Sequence, residues 1–312
     1  MKTIGNTAIV GVDHGYGNCK HASGAFPTGI IAYDSKPTFD GNVLLYKGVH
    51  YKIGEGHKSF TSDKTADIDF YVMTLAAIAR ELNHHGLTSA DVHAVHIAAG
   101  VPLMWVRSQR DSFREYLLQN ESAEFVFKDK EYKIRIVGCS IFPQCYPAIL
   151  GNLGNMNGVN MVADIGNGTM NAMMILNRQV NESKCWTEKL GVNQCVIAAQ
   201  NLLLDKFGVK VEGMVIQNVI RHGTADIGAE YLDCIINSAK SYAADIFTAL
   251  RKYEYNPQLM RLYVVGGGGC IIKHFAEYNK DRVIINDDIC ATAKGYEMLA
   301  LALLKKNGGA NA

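Results

Sequence analysis

Apolar residues in this chain follow two rhythms. Short unbroken runs read as buried strands, and longer stretches with apolar residues three and four positions apart read as helices. Residues 7–13 form the first strand, followed by a glycine turn and a second extended run through Lys20. Residues 43–54 read as a hairpin. Phe70, Met73, Ala77, Ile78 and Leu82 predict a helix over 69–85, with Gly86 as its stop and His84 and His85 suited to its carboxyl end. Residues 92–98 read as a buried strand ending at Gly100-Val101-Pro102, and Pro102 fits the first turn of a helix running to Gln119.

A further hairpin is expected over 125–137, around Lys128-Asp129-Lys130-Glu131. The glycine- and asparagine-rich stretch 151–158 is the sharpest break in composition and predicts a domain boundary, with one domain over 1–158 and the next beginning at 159. Beyond it, 160–163 and 169–176 read as strands, and 193–207, 212–221 and 227–252 as helices. Residues 262–265 and 283–285 read as strands, 270–278 as a short helix, and 288–305 as a helix ending in a polar tail that frays. Strands mixed with helices throughout make this an α/β chain.

Three glycine-rich turns, each after an apolar strand, carry the candidate chemistry. They are Val12-Asp13-His14-Gly15-Tyr16-Gly17, Ala163-Asp164-Ile165-Gly166-Asn167-Gly168-Thr169 and Val264-Val265-Gly266-Gly267-Gly268-Gly269. The first two share Asp-x-Gly-x-Gly between strands, so a strand–turn–strand unit repeats once in each half. Such turns bring bare amide groups against an anion, and the adjacent Asp suits magnesium, which takes oxygen ligands and keeps part of its water. A lone Asp-x-Gly-x-Gly hairpin also occurs in proteins that bind nothing. The repeat, and a third turn between a strand and a helix, weigh against that reading and suggest a cleft in which two turns clamp a polyphosphate and the third seats a nucleoside.

Composition narrows the partners. A chain of 312 residues can form two domains with separate cores, and 48% hydrophobic with 20% charged residues is ordinary for a globular protein. The formal net charge of +1 provides no long-range field toward nucleic acid or a membrane, so direct DNA binding is disfavoured. Eight cysteines without a Cys-x-x-Cys pair read as reduced thiols in a reducing compartment, not as a zinc site. There is no signal-like amino terminus and no apolar run near the ~18–20 residues that cross a bilayer, so the expected location is the cytoplasm.

Other templates fail. The first turn lacks the third glycine of a dinucleotide fingerprint, and Gly56-His57-Lys58-Ser59 lacks the earlier glycine of a P-loop. His93 and His96, three apart on a strand, point to opposite faces and do not chelate together. In Ile141-Phe142-Pro143-Gln144-Cys145-Tyr146-Pro147-Ala148 the two prolines frame a helix start, with Gln144 near its amino end. By itself that is a connector helix with a solvated Gln. Beside the glycine turns, Gln144 becomes a candidate for orienting an attacking water, since an amide both donates and accepts.

These residues resemble the actin-like ATPase superfamily, and within it the bacterial plasmid-segregation actins of the ParM-like branch. Asp13, Gly15, Tyr16, Gly17, Asn18 and Lys20 look like the first phosphate loop, and Asp164, Gly166, Asn167, Gly168 and Thr169 like the second. Gly266, Gly267, Gly268 and Gly269 look like the adenosine loop. The stretch around Gln144 looks like the first connecting helix, and Ala291-Thr292-Ala293-Lys294-Gly295-Tyr296 like the second. The resemblance implies a duplicated two-domain fold with ribonuclease H-like halves around a nucleotide cleft: 1–158 completed by 290–312, and 159–289. It implies an ATPase with ATP or ADP and Mg2+ as cofactors, Asp13 and Asp164 holding the metal, Lys20 facing the phosphates, Gln144 orienting the water, and Gln217 and Arg221 near the purine. Some segregation actins carry Glu at the hydrolytic position; Gln is no strong base, so hydrolysis here would rest on positioning.

The implied function is an ATP-dependent filament that segregates plasmid DNA, with hydrolysis controlling disassembly. Its partners would be further copies of itself and a DNA-binding adaptor of the ParR type on a centromere-like site. Alternatives are a filament with another cargo, such as a phage genome, and a small-molecule kinase of the same superfamily. A kinase needs a dedicated base, and no convincing one stands between Gly138 and Asn160. A chaperone-type ATPase would need a peptide-binding domain for which little chain remains.

Overall fold

The chain opens on an antiparallel pair, β1 (Lys2–Ile4) and β2 (Thr7–His14). β2 is buried from Ala8 onward, because it lies inside a sheet with both faces covered; hence its unbroken apolar run. β3 (Asn18–His21), β4 (Gly24–Pro27), β5 (Ile30–Tyr33), β6 (Val43–Tyr46) and β7 (Val49–Ile53) follow, then α1 (Asp69–His84), β8 (Val92–Val101), α2 (Val106–Leu117), β9 (Ser122–Phe127) and β10 (Lys130–Pro143). These strands form one sheet in the order β4-β3-β2-β8-β10-β9-β6-β7-β5, with β1 against β2. This computed structural model describes residues 1–39, 41–56, 63–87 and 91–309, and the chain separates into two units, Met1–Leu150 with Cys290–Ala312, and Gly151–Ile289.

The second unit contains β11 (Val159–Ile165), β12 (Met170–Leu176), β13 (Gln179–Glu188), α3 (Val192–Phe207), α4 (Gly213–His222), α5 (Ala229–Lys252), β14 (Arg261–Val265), α6 (Gly269–Phe275) and β15 (Val283–Ile285). Its sheet runs β13-β12-β11-β14-β15. β11, β12 and β13 pair antiparallel, whereas β14 and β15 join β11 in parallel. The first sheet repeats this pattern: β2, β3 and β4 are antiparallel, and β8 and β10 extend from β2 in parallel. Each unit is thus built on the same five-strand plan, headed by a strand, a glycine turn and a returning strand. The fold is a duplicated α/β fold.

Each unit has its own core: Leu75, Ile78, Leu82, Ile97 and Phe113 in the first, and Ile216, Ile235, Ile246, Leu262 and Ile271 in the second. The final helix, α7 (Ala291–Gly309), belongs to the first unit, where Tyr296 and Ala300 bury against Ile9 and Ala98. It lies close to the turn after β10: a Cβ on Gly295 would stand 2.1 Å from the carbonyl oxygen of Pro147, so this position admits only glycine without movement.

Besides adding β1, β4 and β5, which the sequence reading does not contain, the structure departs from it in three places. β10 runs past residue 137 to Pro143 with a register shift between Ile136 and Gly138, because parallel pairing to β8 keeps it extended up to Pro143 opposite Val101. Gln144 therefore follows a strand and precedes the 3-10 segment Tyr146–Asn155, where a helix start had been expected. That segment also takes in most of the glycine- and asparagine-rich stretch. β13 was not foreseen; the turn to it, Asn177-Arg178, has positive φ at both residues, like the Lys47-Gly48 and Lys128-Asp129 turns. The residues 310–312 of the polar tail, and 57–62 of the P-loop-like stretch, lie outside the described residues. Among the described residues no helix is long and apolar enough to cross a membrane.

Candidate functional site

In the first unit the chemistry gathers at the end of β2. Asp13 is buried there, and the turn that follows closes with the Gly15 N–H donating to the Asp13 carbonyl at 2.9 Å. Thr28, just beyond β4, clamps the turn: its N–H donates to Gly17 O at 3.0 Å and its hydroxyl to Gly15 O at 2.5 Å. β3 pairs back on β2 and puts Lys20 opposite Asp13, with Nζ 2.9 Å from Oδ2. From the end of β10, Gln144 donates through Nε2 to the other carboxylate oxygen, Oδ1, at 3.3 Å. Residues 131 positions apart thus meet on one carboxylate. Burial alone would raise the Asp13 carboxyl, but Lys20, bonded to it, and Lys64 hold it below the ordinary value. Asp13 is ionised, and its charge is shared between two strands.

Two residues to which the sequence reading assigns no role complete this site. His14 is buried, with Nε2 2.7 Å from Thr74 Oγ1 on α1 and its ring edge-on to Phe70 and Phe113. Burial, reinforced by Lys64, pushes its pKa down to about 3, so it is a neutral packing residue. Lys64 is buried too, and its Nζ donates to the His14 carbonyl at 2.8 Å. Burial lowers its ammonium to about 8, with Asp13 opposing the shift. Neither residue was legible, since a His inside a turn and a Lys in a polar loop carry no periodic signal.

In the second unit the other two glycine turns come together. Asp164 lies on β11 just before Gly166, whose N–H donates to Thr169 O at 2.9 Å. The Gly268 N–H donates to Ile165 O at 2.8 Å, so the turn after β14 packs onto the turn after β11. Gly266 shows why glycine is needed there. Its φ is +83°, and a Cβ would stand 2.5 Å from Asp164 Oδ1 and 2.7 Å from Ile165 O. The amino end of α3 closes the other side, with Val192 N–H on Gly166 O at 3.0 Å and Asn193 N–H on Asn167 O at 2.8 Å. Val192 and Asn193 are the contacts missed from sequence; the one available signal was Gly191, just ahead of a predicted helix.

Gln217 and Arg221 sit four apart on α4, both exposed and on one face. Gly223, the cap of α4, packs against the His274 ring of α6. Tyr16, Gly17, Gly168 and Gly267 lie within the turns, whereas Asn18 opens β3 and Gly269 opens α6. His96 is a buried histidine bonded to Ser140 at 2.9 Å, while His93 is only partly buried. Among the described residues no cluster of three or more His, Cys, Asp or Glu could hold a metal, so any cation here would keep water in its shell.

Comparison with known proteins adds the family. Residues 11–146 match the family described as actin like proteins N terminal domain. No curated protein sequence matches significantly. Solved structures match over nearly the whole chain. A structure of Ta0583, an archaeal actin homologue, in complex with ADP superposes with a TM-score of 0.73 at 20% identity, covering 95% of this chain and 99% of that one. The apo ParM protein of pSK41 superposes with a TM-score of 0.71 at 18% identity, covering 97% and 99%. The Alp12 filament structure gives 0.68 at 19% identity, covering 96% and 100%. Residues 11–146 thus match an actin-like N-terminal domain, and the whole chain, with strands laid out as a duplicated plan and a glycine turn heading each half, has the fold of these actin homologues.

Proposed function

We propose that this protein binds and hydrolyses ATP and assembles, in its ATP-bound form, into filaments that segregate plasmid DNA. The observation that carries the reading is the meeting of a lysine ammonium and a glutamine amide on the buried Asp13 carboxylate, at the mouth of a glycine turn. The amides of residues 15–17 and 166–169 serve the phosphates, Lys20 adds charge toward them, and Gly266–Gly269 with Gln217 and Arg221 serve the adenosine. Charged hydrogen bonds of this kind contribute roughly 1.5–3 kcal/mol each.

Magnesium fits the donors present. Asp13 is held ionised, and glycine at 266 keeps Asp164 Oδ1 uncrowded, since a Cβ there would stand 2.5 Å from it. Asp13 in the first unit and Asp164 in the second are the carboxylates that would hold the ion, which would neutralise phosphate charge. The rest falls to the chain. Gln144 is oriented by its donation to Asp13, which leaves its amide oxygen to accept a hydrogen bond from the attacking water. Gln144→Ala is therefore expected to keep ATP binding and assembly but to release phosphate more slowly, by roughly 10-fold or more. Phosphate release at the wild-type rate in a malachite-green assay removes Gln144 from this role.

A head-to-tail contact that does not close on itself makes a filament without any dedicated motif. Among the structural neighbours, Alp12 is a filament and the Ta0583 structure holds ADP, which supports self-assembly driven by an adenine nucleotide. ATP addition is expected to raise light scattering and pelletable protein, both falling as phosphate appears. A flat signal over a wide protein range, with phosphorylated small molecules accumulating instead, would favour the kinase reading. The net charge of +1 suits a protein that reaches DNA through a separate adaptor.

A further inference from the structure

Lys64 precedes α1 and belongs to none of the motifs described above, yet it stands directly behind the first glycine turn. Its side chain is buried and its Nζ donates to the carbonyl of His14, the residue that leads into Gly15. The rings of Tyr16, Phe70 and Phe113 surround the ammonium at 5.6, 5.5 and 5.8 Å. No ion pair of Lys64 is found among the described residues. The nearest acid whose charge it feels, Asp13, already holds Lys20 at 2.9 Å. Two ammonium groups therefore share one carboxylate, and the turn is backed by a surplus positive charge.

That surplus is costly. An ammonium taken out of water without a counter-ion is destabilising, and three ring faces with one carbonyl offset only part of the cost. Holding the turn does not require the charge, since a neutral amide could donate to the same carbonyl. Filling the space does not require it either, since methionine has a similar shape. What the charge alone supplies is a positive potential at the amides of the turn, in surroundings from which water is excluded and fields are weakly screened.

We propose that Lys64 is an affinity determinant for the polyphosphate: a buried cation behind the first glycine turn whose missing counter-charge arrives with the bound phosphates. The inference rests on the nucleotide reading given above. Lys64 touches no phosphate; it acts through the turn as a positioning residue. Lys20, by contrast, is partly exposed and is paired with Asp13 from β3.

The test uses the full chain with Lys64→Gln, which keeps a donor for the His14 carbonyl and removes the charge. Magnesium-ATP affinity is measured by calorimetry, and the melting temperature is taken with and without nucleotide. The expected result is roughly 10-fold weaker ATP binding, with a nucleotide-free melting temperature equal to or above the wild type and a smaller rise on adding ATP. Lys64→Arg, which keeps the charge, is expected to stay within about 3-fold of wild-type affinity. A purely structural lysine would give the opposite pattern: a lower nucleotide-free melting temperature with unchanged affinity, and that result overturns the proposal. If Lys64→Gln does not fold, Lys64→Met is read in the same way. ATP binding by the wild type with equal affinity in the charge-removed variant sinks Lys64 alone, whereas no ATP binding by the wild type sinks the nucleotide reading and this inference together.

Discussion

Asp13→Ala is expected to lose about 3–5 kcal/mol of folding stability in the absence of nucleotide, because removing one partner leaves a buried charge uncompensated. The ion pair with Lys20 has a 2.9 Å contact and side chains only 15% and 7% exposed, so solvent screens little of the loss. Lys64 then adds a second cation with no carboxylate nearby to balance it. The same change removes the hydrogen-bond acceptor that orients Gln144. Magnesium-dependent ATP binding should fall by roughly 10–100-fold, and phosphate release should fall with it. Urea denaturation measures the first effect and calorimetry the second. A variant as stable as the wild type and binding magnesium-ATP equally well would remove Asp13 from both roles.

Gly266→Ala should be a strongly damaging single-methyl change in the second unit's site. The left-handed backbone at φ +83° costs a non-glycine residue about 1–2 kcal/mol. The new Cβ would meet Asp164 Oδ1 at 2.5 Å and a backbone carbonyl at 2.7 Å, and forcing such contacts apart costs about 1–3 kcal/mol more. Since one clashing atom is the Asp164 carboxylate, nucleotide affinity should fall along with stability. Gly267→Ala is the control: nothing lies within 4 Å of its added Cβ, and its backbone needs no positive φ, so its melting temperature should match the wild type. Equal melting temperatures for both variants would mean that the turn is not packed on Asp164 as described.

Part of the site was visible before any coordinates. Asp13 and Asp164 stand at the ends of apolar runs, and glycines follow them at the same spacing, so the repeated strand–turn–strand unit could be read as a pattern. The long helices were also clear, because α3 and α5 each present apolar residues at helical spacing to one core. β13 was missed because it is polar and half-exposed, which leaves no alternation to detect. The length of β10 was missed for a different reason: Pro143 usually marks a break, and only pairing to β8 keeps the strand extended up to it.

What the sequence determined by itself was everything carried by local spacing: the α/β class, the three glycine turns, the carboxylate beside each of the first two, and the place of Gln144 before a proline-framed segment. Tertiary structure alone decided which of these meet. Lys20 and Gln144 converge on Asp13 only because β3 and β10 flank the β2–β8 pair, and the second and third turns join only because β14 lies beside β11. It also decided that Lys64 is a buried cation. Burial and pairing depend on residues far apart in the chain, and a backbone with a period of two or 3.6 residues encodes which face a side chain takes, not what will be opposite it.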